Sequence, residues 1–312
     1  MEIAEKSLVC SLTRFAENSI IIFGNETKEI VRMFEIVKKE ALNPTVMRMD
    51  IKAPLVAKKA RAGQFVILRA DERGERIPLT VAGCDLEAGT VTIIFQIVGG
   101  ATMTLATLPQ GGCLADFVGP LGTPTHIEGL KKVAVVGGGV GCAIALPVAR
   151  ALYEQGCEVT SIVGFRNEDL VILEKEFKEV SSRFFMMTDD GSYGEKGNVC
   201  VPLNRLLESG ETFDEVITIG PLIMMKFVAA ATKPYGIKTV ASMNPIMIDG
   251  TGMCGCCRVT VGGEMKFACV DGPDFDAHLI DFDEAMKRSR TYAEFEAKAR
   301  EMHCNLFKKE VS

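Results

Sequence analysis

The sequence predicts three consecutive modules: an antiparallel β barrel, a doubly wound α/β domain and a small cysteine-rich module. In residues 34 to 125, short runs of alternating or β-branched residues are separated by Gly, Pro, Asp and charged turns, as in a small barrel. In residues 130 to 245, apolar strands alternate with helical stretches, as in a parallel sheet covered by helices. Residues 254 to 269 then hold four cysteines within sixteen positions.

These changes of pattern divide the chain into five segments. Helices are predicted over residues 143–155, 169–180 and 221–233. The first 33 residues fit poorly with the regular pattern that begins at Phe34: they are either an additional strand and helix or an extension upstream of an alternative start at Met33. The predicted segments are an N-terminal extension (1–33), the barrel (34–128), the α/β domain (129–245), the cysteine-rich module (246–273) and a C-terminal helical arm (274–312).

The composition excludes several classes of protein. The chain is 47% hydrophobic and 24% charged, as expected of a globular protein with more than one core. Its net charge of -6 argues against nucleic acid or an anionic membrane as the main partner, because both attract basic surfaces. We find no signal peptide or apolar run long enough to span a bilayer. The odd number of cysteines, 11, argues against a disulfide framework and favours the cytoplasm.

A glycine-rich turn opens the α/β domain. Residues 137–141 have the sequence GGGVG and follow the apolar strand KVAVV. Glycines in such a strand–turn–helix unit let the backbone approach a dinucleotide pyrophosphate, although Cys142 takes the third glycine position. A tight turn without ligand is the alternative. The second strand ends near Arg166 without an acidic residue for a ribose hydroxyl, which favours NADP over NAD.

The barrel contains a second group of candidate residues. Arg76 opens the stretch RIPLT, and its planar guanidinium suits a phosphate, although a surface ion pair is the common role of a single arginine. Gly99 and Gly100 follow the strand TVTIIFQ and can admit a phosphate close to the backbone.

The cysteine-rich segment holds the most specific pattern. Asp249, Cys254, Cys257 and Cys269 have the spacing D-x4-C-x2-C-x11-C, and plant-type 2Fe–2S proteins have C-x4-C-x2-C followed by a distant cysteine. Aspartate therefore occupies the first ligand position. Cys256 lies between two proposed ligands and is interpreted as a bystander. The alternatives are a structural zinc site, free thiols, and Asp249 as part of an Asp-Gly turn.

The order of these motifs over residues 34–245 resembles the ferredoxin-reductase-like flavoproteins. The resemblance implies that the barrel binds FAD and that the α/β domain binds a nicotinamide nucleotide. The implied FAD residues are Gly63, Gln64, Phe65, Arg76, Pro78, Leu79, Thr80, Gln96, Val98, Gly99 and Thr102. The implied nucleotide residues are Gly137, Gly138, Gly139, Val140, Gly141, Arg166, Gly220, Pro221 and Met224. Pro78 stands where many relatives carry an aromatic residue.

The C-terminal module extends this resemblance. The FAD barrel, nucleotide domain and 2Fe–2S module together resemble the electron-transfer subunit of dihydroorotate dehydrogenase, which supplies four cysteines. The stretch DGTGMCG with the later CVDGPDFD is more similar to the small subunit of NADH-dependent ferredoxin:NADP oxidoreductase, in which one Asp and three Cys hold the cluster. The resemblance thus implies the metal ligands Asp249, Cys254, Cys257 and Cys269.

This second resemblance also implies a function. NAD(H), with NADP(H) as the alternative, exchanges hydride with FAD, and the cluster carries electrons to a larger glutamate-synthase-like subunit with its own FAD and 4Fe–4S clusters, and so indirectly to ferredoxin. The same architecture also serves dihydroorotate dehydrogenase or a multi-subunit hydrogenase. A zinc-stabilised binding module without flavin is the non-enzyme alternative.

Overall fold

The computed structural model describes residues 19–21, 30–32, 34–298 and 301. Most of the predicted N-terminal extension therefore lies outside the described residues. Its described part is a two-stranded antiparallel sheet of β1 (Ser19–Ile21) and β2 (Ile30–Arg32). No helix of the described part is long and apolar enough to cross a membrane.

The next module is a six-stranded antiparallel sheet with the order β3-β4-β7-β6-β5-β8, as the sequence predicts. Its elements are β3 (Ile36–Asn43), β4 (Val46–Lys52), α1 (Pro54–Ala57), β5 (Phe65–Arg69), β6 (Ile77–Asp85), β7 (Thr90–Gln96), α2 (Gly100–Thr107) and β8 (Asp116–Leu121). In β7, Val91, Ile93 and Phe95 are buried, which is the period-2 pattern of a strand with one face in the core. The two edges of the sheet meet, as in a barrel, where Ile36 N donates to Gly112 O at 2.8 Å shortly before β8.

The second module is the predicted doubly wound domain. Its strands are β9 (Lys132–Gly138), β10 (Glu158–Phe165), β11 (Arg183–Thr188), β12 (Glu195–Lys196), β13 (Glu215–Ile219) and β14 (Thr239–Ser242). Its helices are α3 (Gly141–Glu154), α4 (Glu174–Glu179), α5 (Cys200–Glu208) and α6 (Leu222–Thr232). These six strands pair in parallel in the order β12-β11-β10-β9-β13-β14.

The helices of this domain differ from the prediction at two places. The predicted helix over residues 169–180 is wrong in extent, because a 3-10 turn at Glu168–Leu170 is followed by a helix that begins at Glu174. Leu173, with φ 59°, adopts the left-handed conformation and separates the two. Helix α5 was not predicted, and Pro202 lies in its first turn, where the missing N–H costs no hydrogen bond.

The C-terminal module adds β15 (Arg258–Val261), β16 (Glu264–Phe267), β17 (Asp274–Asp276) and α7 (Phe282–Ser289). Strand β17 pairs antiparallel with β14 and so extends the sheet of the α/β domain. Residues 274–281, which the sequence places in the helical arm, therefore form a strand and the turn after it. Asp281 N donates to Thr260 O at 2.9 Å, which ties this turn to the β15–β16 sheet.

One apolar cluster joins all three modules. It combines strands of the barrel, helix α6, strand β14 and the cysteine-rich segment, and two of the proposed cluster ligands lie inside it. Its members from these elements include Phe65, Ile67, Met225, Ala229, Ala241, Met243, Cys257 and Cys269. Burial of this surface fixes the relative positions of the barrel, the α/β domain and the C-terminal module.

A buried carboxylate lies at the same junction. Asp274 Oδ2 accepts a hydrogen bond of 2.5 Å from Thr125 Oγ1, and Thr125 N donates to Ala62 O. The other oxygen, Asp274 Oδ1, is buried and has no hydrogen-bond partner among the described residues. Burial, which opposes ionisation, raises the pKa of Asp274 above its ordinary value.

We expect Asp274 to make the stability of the protein depend on pH. Because its pKa is raised in the folded state, its contribution to stability is greatest below the ordinary aspartate pKa of about 4 and falls as pH rises through the folded pKa. Asn at this position stays neutral. The thermal midpoint of the wild type relative to Asp274→Asn should therefore fall as the pH rises from about 4 through the raised pKa of Asp274.

The control is Glu128→Gln, which changes an exposed carboxylate three residues after Thr125 in the chain. For this variant the difference from the wild type should stay nearly constant over the same pH interval. A constant difference for Asp274→Asn as well would show that the buried carboxyl does not titrate in this range.

Candidate cofactor site

Two turns meet at the carboxyl ends of the neighbouring strands β9 and β13. A Cβ at Gly141 would lie 2.6 Å from Ile219 O, and a Cβ at Gly138 would collide with Met224 Sδ. Gly139 has a φ of 56°, and a Cβ there would meet no atom within 4 Å. The structure thus brings the predicted nucleotide residues of the two turns together: Gly137, Gly138, Gly139, Val140, Gly141, Gly220, Pro221 and Met224.

Cys142 fills the position of the third fingerprint glycine. Its side chain is fully buried, and a Cβ at Gly137 would lie 3.0 Å from Cys142 Sγ. Burial raises the pKa of the thiol to about 12. Cys142 is therefore an inert packing residue that accommodates the close approach of α3 to β9.

Two carboxylates that the sequence reasoning missed lie at the same sheet edge as Arg166. Asp189 and Asp190 directly follow β11, and Asp190 N donates to Arg166 O at 3.3 Å. Glu168 N donates to Ser192 Oγ at 2.8 Å, which joins the loops after β10 and β11. The available signal was the pair Asp-Asp after the third strand, whereas the sequence rule considers only the second strand.

The predicted FAD residues of β5 differ in what they contribute. Gly63 has a φ of 85° and approaches Thr125 so closely that a Cβ would collide with Thr125 Oγ1. Gln64 Nε2 donates to Gly122 O at 2.8 Å, and Phe65 is buried in the apolar cluster that joins the modules. Gln64 therefore ties the start of β5 to the turn after β8, whereas Phe65 faces the junction between the modules and not the barrel core.

Strand β6 carries the remaining residues of the RIPLT stretch. Pro78, Leu79 and Thr80 are half-buried and pair with β5. The Arg76 guanidinium lies 3.5 Å from Asp116 Oδ2, and its Nε donates to Ile248 O at 2.8 Å. Arg76 thus lies between the barrel and the segment that leads into the cysteine-rich loop.

An open space lies in front of helix α2. Val98 N and Gly99 N each donate to Thr102 Oγ1 at 3.0 Å, so Thr102 caps its own helix. Gln96 ends β7, and a Cβ at Gly99 would meet no atom within 4 Å. The first amides of a helix lack intrahelical acceptors and suit a phosphate.

A cavity of about 380 Å³ adjoins this helix start. It lies between α2 and the turn that connects β5 to β6. Its lining residues are Leu68, Ala70, Asp71, Arg73, Gly74, Glu75, Ile77, Gly100, Ala101 and Thr104. None of these residues is predicted from the sequence to contact the flavin, because the cavity forms only when α2 folds against the β5–β6 turn. Its lining residues include the chain neighbours of Arg76 and Gly99, and its charged side chains are Asp71, Arg73 and Glu75.

The first half of the cysteine-rich loop is organised around Asp249. Its Oδ1 accepts a hydrogen bond of 2.5 Å from Thr251 Oγ1, and its Oδ2 accepts one of 3.1 Å from Cys254 N. These bonds, led by that of Thr251, lower the pKa of Asp249. Asp249 is therefore ionised and lies next to Cys254, whose thiol is exposed.

The second half of the loop supplies a buried pair of thiols. Cys257 and Cys269 are 1% and 2% exposed, and their Sγ atoms are 3.2 Å apart. Both are free thiols. The pKa of Cys269 is raised to about 12, mainly by burial and to a smaller extent by the neighbouring Cys257 thiol. Metal binding removes the proton from such a thiol, so a buried pair at this distance suits a soft metal centre.

The donor set fits a two-iron cluster. Among the described residues, no three His, Cys, Asp or Glu side chains surround one ion position. A 2Fe–2S cluster has four protein ligands shared between two irons and therefore requires two neighbouring pairs. Asp249 with Cys254 forms one such pair, and Cys257 with Cys269 forms the other. Gly250, Gly252 and Gly255 all have positive φ, which lets the loop turn around such a centre.

The loop is held directly against the barrel. A Cβ at Gly250 would lie 2.7 Å from Leu121 Cδ1 and 2.8 Å from Ile67 Cδ1, so only glycine permits this approach. Together with the bond from Arg76 to Ile248, this contact fixes the start of the loop on strands β5 and β8. The proposed cluster residues and the proposed flavin residues therefore share one wall.

Comparisons with known proteins agree with this arrangement. Residues 244–281 match the family model of the iron–sulfur cluster binding domain of dihydroorotate dehydrogenase B. A homolog of the electron-transfer subunit of dihydroorotate dehydrogenase B (NAD(+)) from Thermotoga maritima is 47% identical over 84% of this chain and 92% of its own. The corresponding subunit from Streptococcus pneumoniae R6 is 33% identical over 77% and 94%.

Solved structures give the same result. A chain from a study of flavin-based electron bifurcation in NADH-dependent reduced ferredoxin-NADP oxidoreductase has a TM-score of 0.83 and 44% identity, covering 88% of this chain and 99% of that chain. An Amycolatopsis cytochrome P450 reductase has a TM-score of 0.52 at 19% identity, covering 68% and 69%, and shows the fold alone.

The fold and the site thus define a ferredoxin-reductase-like flavoprotein with an added iron–sulfur module. The chain belongs to the family of dihydroorotate dehydrogenase B electron-transfer subunits and their homologs. It is an oxidoreductase electron-transfer subunit with an iron–sulfur cluster binding domain.

The contact between the two nucleotide turns predicts the effect of Gly141→Ala. The added methyl would press on the backbone of β13, which must move, and overpacking of this kind costs about 1–3 kcal/mol. We expect a lower free energy of unfolding and weaker binding of NADH in a fluorescence titration.

Gly83→Ala is the matched control, because a Cβ at Gly83 would lie at an ordinary 3.7 Å from Thr92. It should change neither the free energy of unfolding nor NADH binding appreciably. Equal behaviour of the two variants would refute the close contact of the turns.

Proposed function

We propose that this protein takes electrons from NADH and delivers them through its cluster to a larger flavin and iron–sulfur subunit, as in NADH-dependent ferredoxin:NADP oxidoreductase. The observation that supports the proposal is that the loop holding Asp249, Cys254, Cys257 and Cys269 lies against Ile67 and Leu121 of the barrel at Gly250. When bound, FAD accepts hydride from the nicotinamide and the cluster accepts single electrons.

The protein itself contributes binding and orientation. The turns at Gly137–Gly141 and Gly220–Met224 present backbone to the nucleotide at the carboxyl ends of β9 and β13, where ligands bind in open α/β sheets. The first amides of α2 receive the phosphates of FAD. No acid or base is required for hydride transfer, so these residues act by position.

The ligand assignment gives Asp249 a direct role. A carboxylate is a harder ligand than a thiolate and a poorer electron donor to iron. The iron held by Asp249 and Cys254 therefore differs from the iron held by the buried pair Cys257 and Cys269. Cys256, whose Sγ lies 3.9 Å from Cys254 O, takes no part in the ligand set.

The acidic loop after β11 favours NADH over NADPH. Asp189 and Asp190 are exposed at the edge where Arg166 alone would have attracted a 2′-phosphate. Carboxylates repel a 2′-phosphate, and the two negative charges at this edge exceed the one positive charge of Arg166. This is the physical support for NADH as the electron donor.

A larger partner follows from the exposed side of the loop. Cys254 is exposed, and Met253 beside it is 90% exposed. An exposed cluster edge permits electron transfer to a second protein, and the relatives are named as electron-transfer subunits. The proposed partner is a glutamate-synthase-like subunit with FAD and 4Fe–4S clusters, which reaches ferredoxin and NADP, and the proposed location is the cytoplasm.

A second candidate function is electron transfer to a dihydroorotate dehydrogenase. The family match over residues 244–281 favours it. Asp249 at the first ligand position favours the oxidoreductase instead, because the resembling dihydroorotate dehydrogenase subunits supply cysteine there. The same electron-transfer chemistry serves both functions, so the partner distinguishes them.

Purification of the native complex tests the proposed function. We expect a larger flavin and iron–sulfur subunit to copurify, and the complex to couple NADH oxidation to ferredoxin and NADP turnover. The kcat/KM for reduction of the bound flavin should be several-fold higher with NADH than with NADPH. A copurifying subunit that oxidises dihydroorotate would establish the second candidate instead.

The proposed ligand set predicts different effects on iron content and reduction potential for substitutions of different ligands. Cys257→Ser and Cys269→Ser should lose most of their iron, because each removes a thiolate from the buried pair. Asp249→Cys should keep a 2Fe–2S cluster at a more negative potential, since thiolate donates more electron density. Cys256→Ser is the control and should match the wild type. Iron content and EPR-monitored redox titration give the readouts, and an unchanged potential in Asp249→Ala would remove Asp249 from the ligand set.

A further inference from the structure

Helix α7 packs against the segment that carries the proposed cluster ligands. Phe282 is buried, and Ala285 and Met286 are half-buried, in the same apolar cluster as Cys257 and Cys269. Their spacing of three and four residues places all three on one face of the helix. The matched iron–sulfur domain ends at residue 281, so α7 lies outside it.

The start of α7 is anchored by several polar contacts. Asp281 Oδ1 accepts a hydrogen bond of 2.9 Å from Glu284 N and so caps the helix. Asp281 N donates to Thr260 O at 2.9 Å, and Lys226 Nζ lies 2.6 Å from Asp283 Oδ1 on the side of α6. With the buried Phe282, these contacts set the position of every later residue of the helix.

Arg288, in the last turn of α7, reaches the cluster loop. Its Nη2 donates to Cys256 O at 3.3 Å, and Cys256 lies between the proposed ligands Cys254 and Cys257. The side chain of Arg288 is half-buried, and no carboxylate oxygen of the described residues lies within 4.0 Å of its guanidinium nitrogens. The loop between two ligands therefore lies beside the positive charge of Arg288, in addition to that of Arg258, whose Nη1 would lie 3.2 Å from a Cβ at Gly255.

We infer that Arg288 is a positioning residue that holds the Cys254–Cys257 segment and raises the reduction potential of the cluster. The inference rests on the ligand set proposed above. A cluster bound by three thiolates and a carboxylate is anionic, and one-electron reduction adds a further negative charge. A nearby cation stabilises the reduced state more than the oxidised state, and net charge and hydrogen bonding are among the factors that set cluster potentials.

The role of Arg288 has two parts that a substitution can separate. The hydrogen bond to Cys256 O limits the motion of the peptide between the two ligands. The charge acts on the cluster through space and does not require two donors. Lysine at this position keeps the charge and one donor direction, whereas glutamine keeps a donor and loses the charge.

The test compares Arg288→Gln, Arg288→Lys and Lys287→Gln in the full-length holoprotein. Lys287→Gln removes the same charge from an exposed neighbour on the same helix turn. Potentials come from EPR-monitored redox titration, with iron and sulfide content measured on each sample. For Arg288→Gln we expect the equilibrium constant for one-electron reduction of the cluster to fall about tenfold. This corresponds to a reduction potential ~59 mV more negative than that of the wild type. Arg288→Lys should keep most of the wild-type potential, and Lys287→Gln should equal the wild type.

Three results would overturn the inference. One is a wild-type potential in a fully loaded Arg288→Gln protein, and another is an equal shift in Lys287→Gln. If Arg288→Gln does not retain iron, Arg288→Lys provides the test instead. Loss of iron from Arg288→Lys, or a reduction potential more negative than that of the wild type, would exclude a role of the charge. Failure of the ligand set shows separately, since Cys257→Ser would then keep its cluster whatever happens at Arg288.

Discussion

The structure depends on one shared apolar cluster that encloses Cys257 and Cys269. Side chains from the barrel, α6, β14 and the C-terminal module all contribute to it. Because its formation removes apolar surface of every module from water at once, it fixes their arrangement as well as their stability. It also places two thiols where solvent does not reach. The position of the proposed iron site is therefore a consequence of how the modules pack.

Close backbone approach is the second constraint, and it accounts for glycines that serve different purposes. Gly141 lets α3 lie against β13, while Gly250 lets the cysteine-rich loop lie against Ile67 and Leu121 of the barrel. In both cases a methyl group would separate elements that must touch for cofactors to lie near each other. The chain thus brings nucleotide, flavin and cluster residues together through contacts that tolerate no side chain.

Several features were predictable from the sequence because they depend on local pattern. The alternation of strands and helices, the glycine turn after β9 and the spacing from Asp249 to Cys269 are of this kind. The break at Leu173 was not, because an isolated left-handed residue leaves no periodic signal. Nor were Asp189 beside Arg166 and Arg288 beside Cys256, since these neighbours are distant in the chain and meet only through sheet order and helix packing.

The proposed ligand set gives the two irons different ligands, with one held by Asp249 and Cys254 and the other by Cys257 and Cys269. A Mössbauer spectrum of the oxidised protein loaded with enriched iron distinguishes the two irons. We expect two quadrupole doublets of equal area, one with the larger isomer shift expected of mixed oxygen and sulfur ligation. A single symmetric doublet typical of an all-thiolate cluster would show that Asp249 is not a ligand.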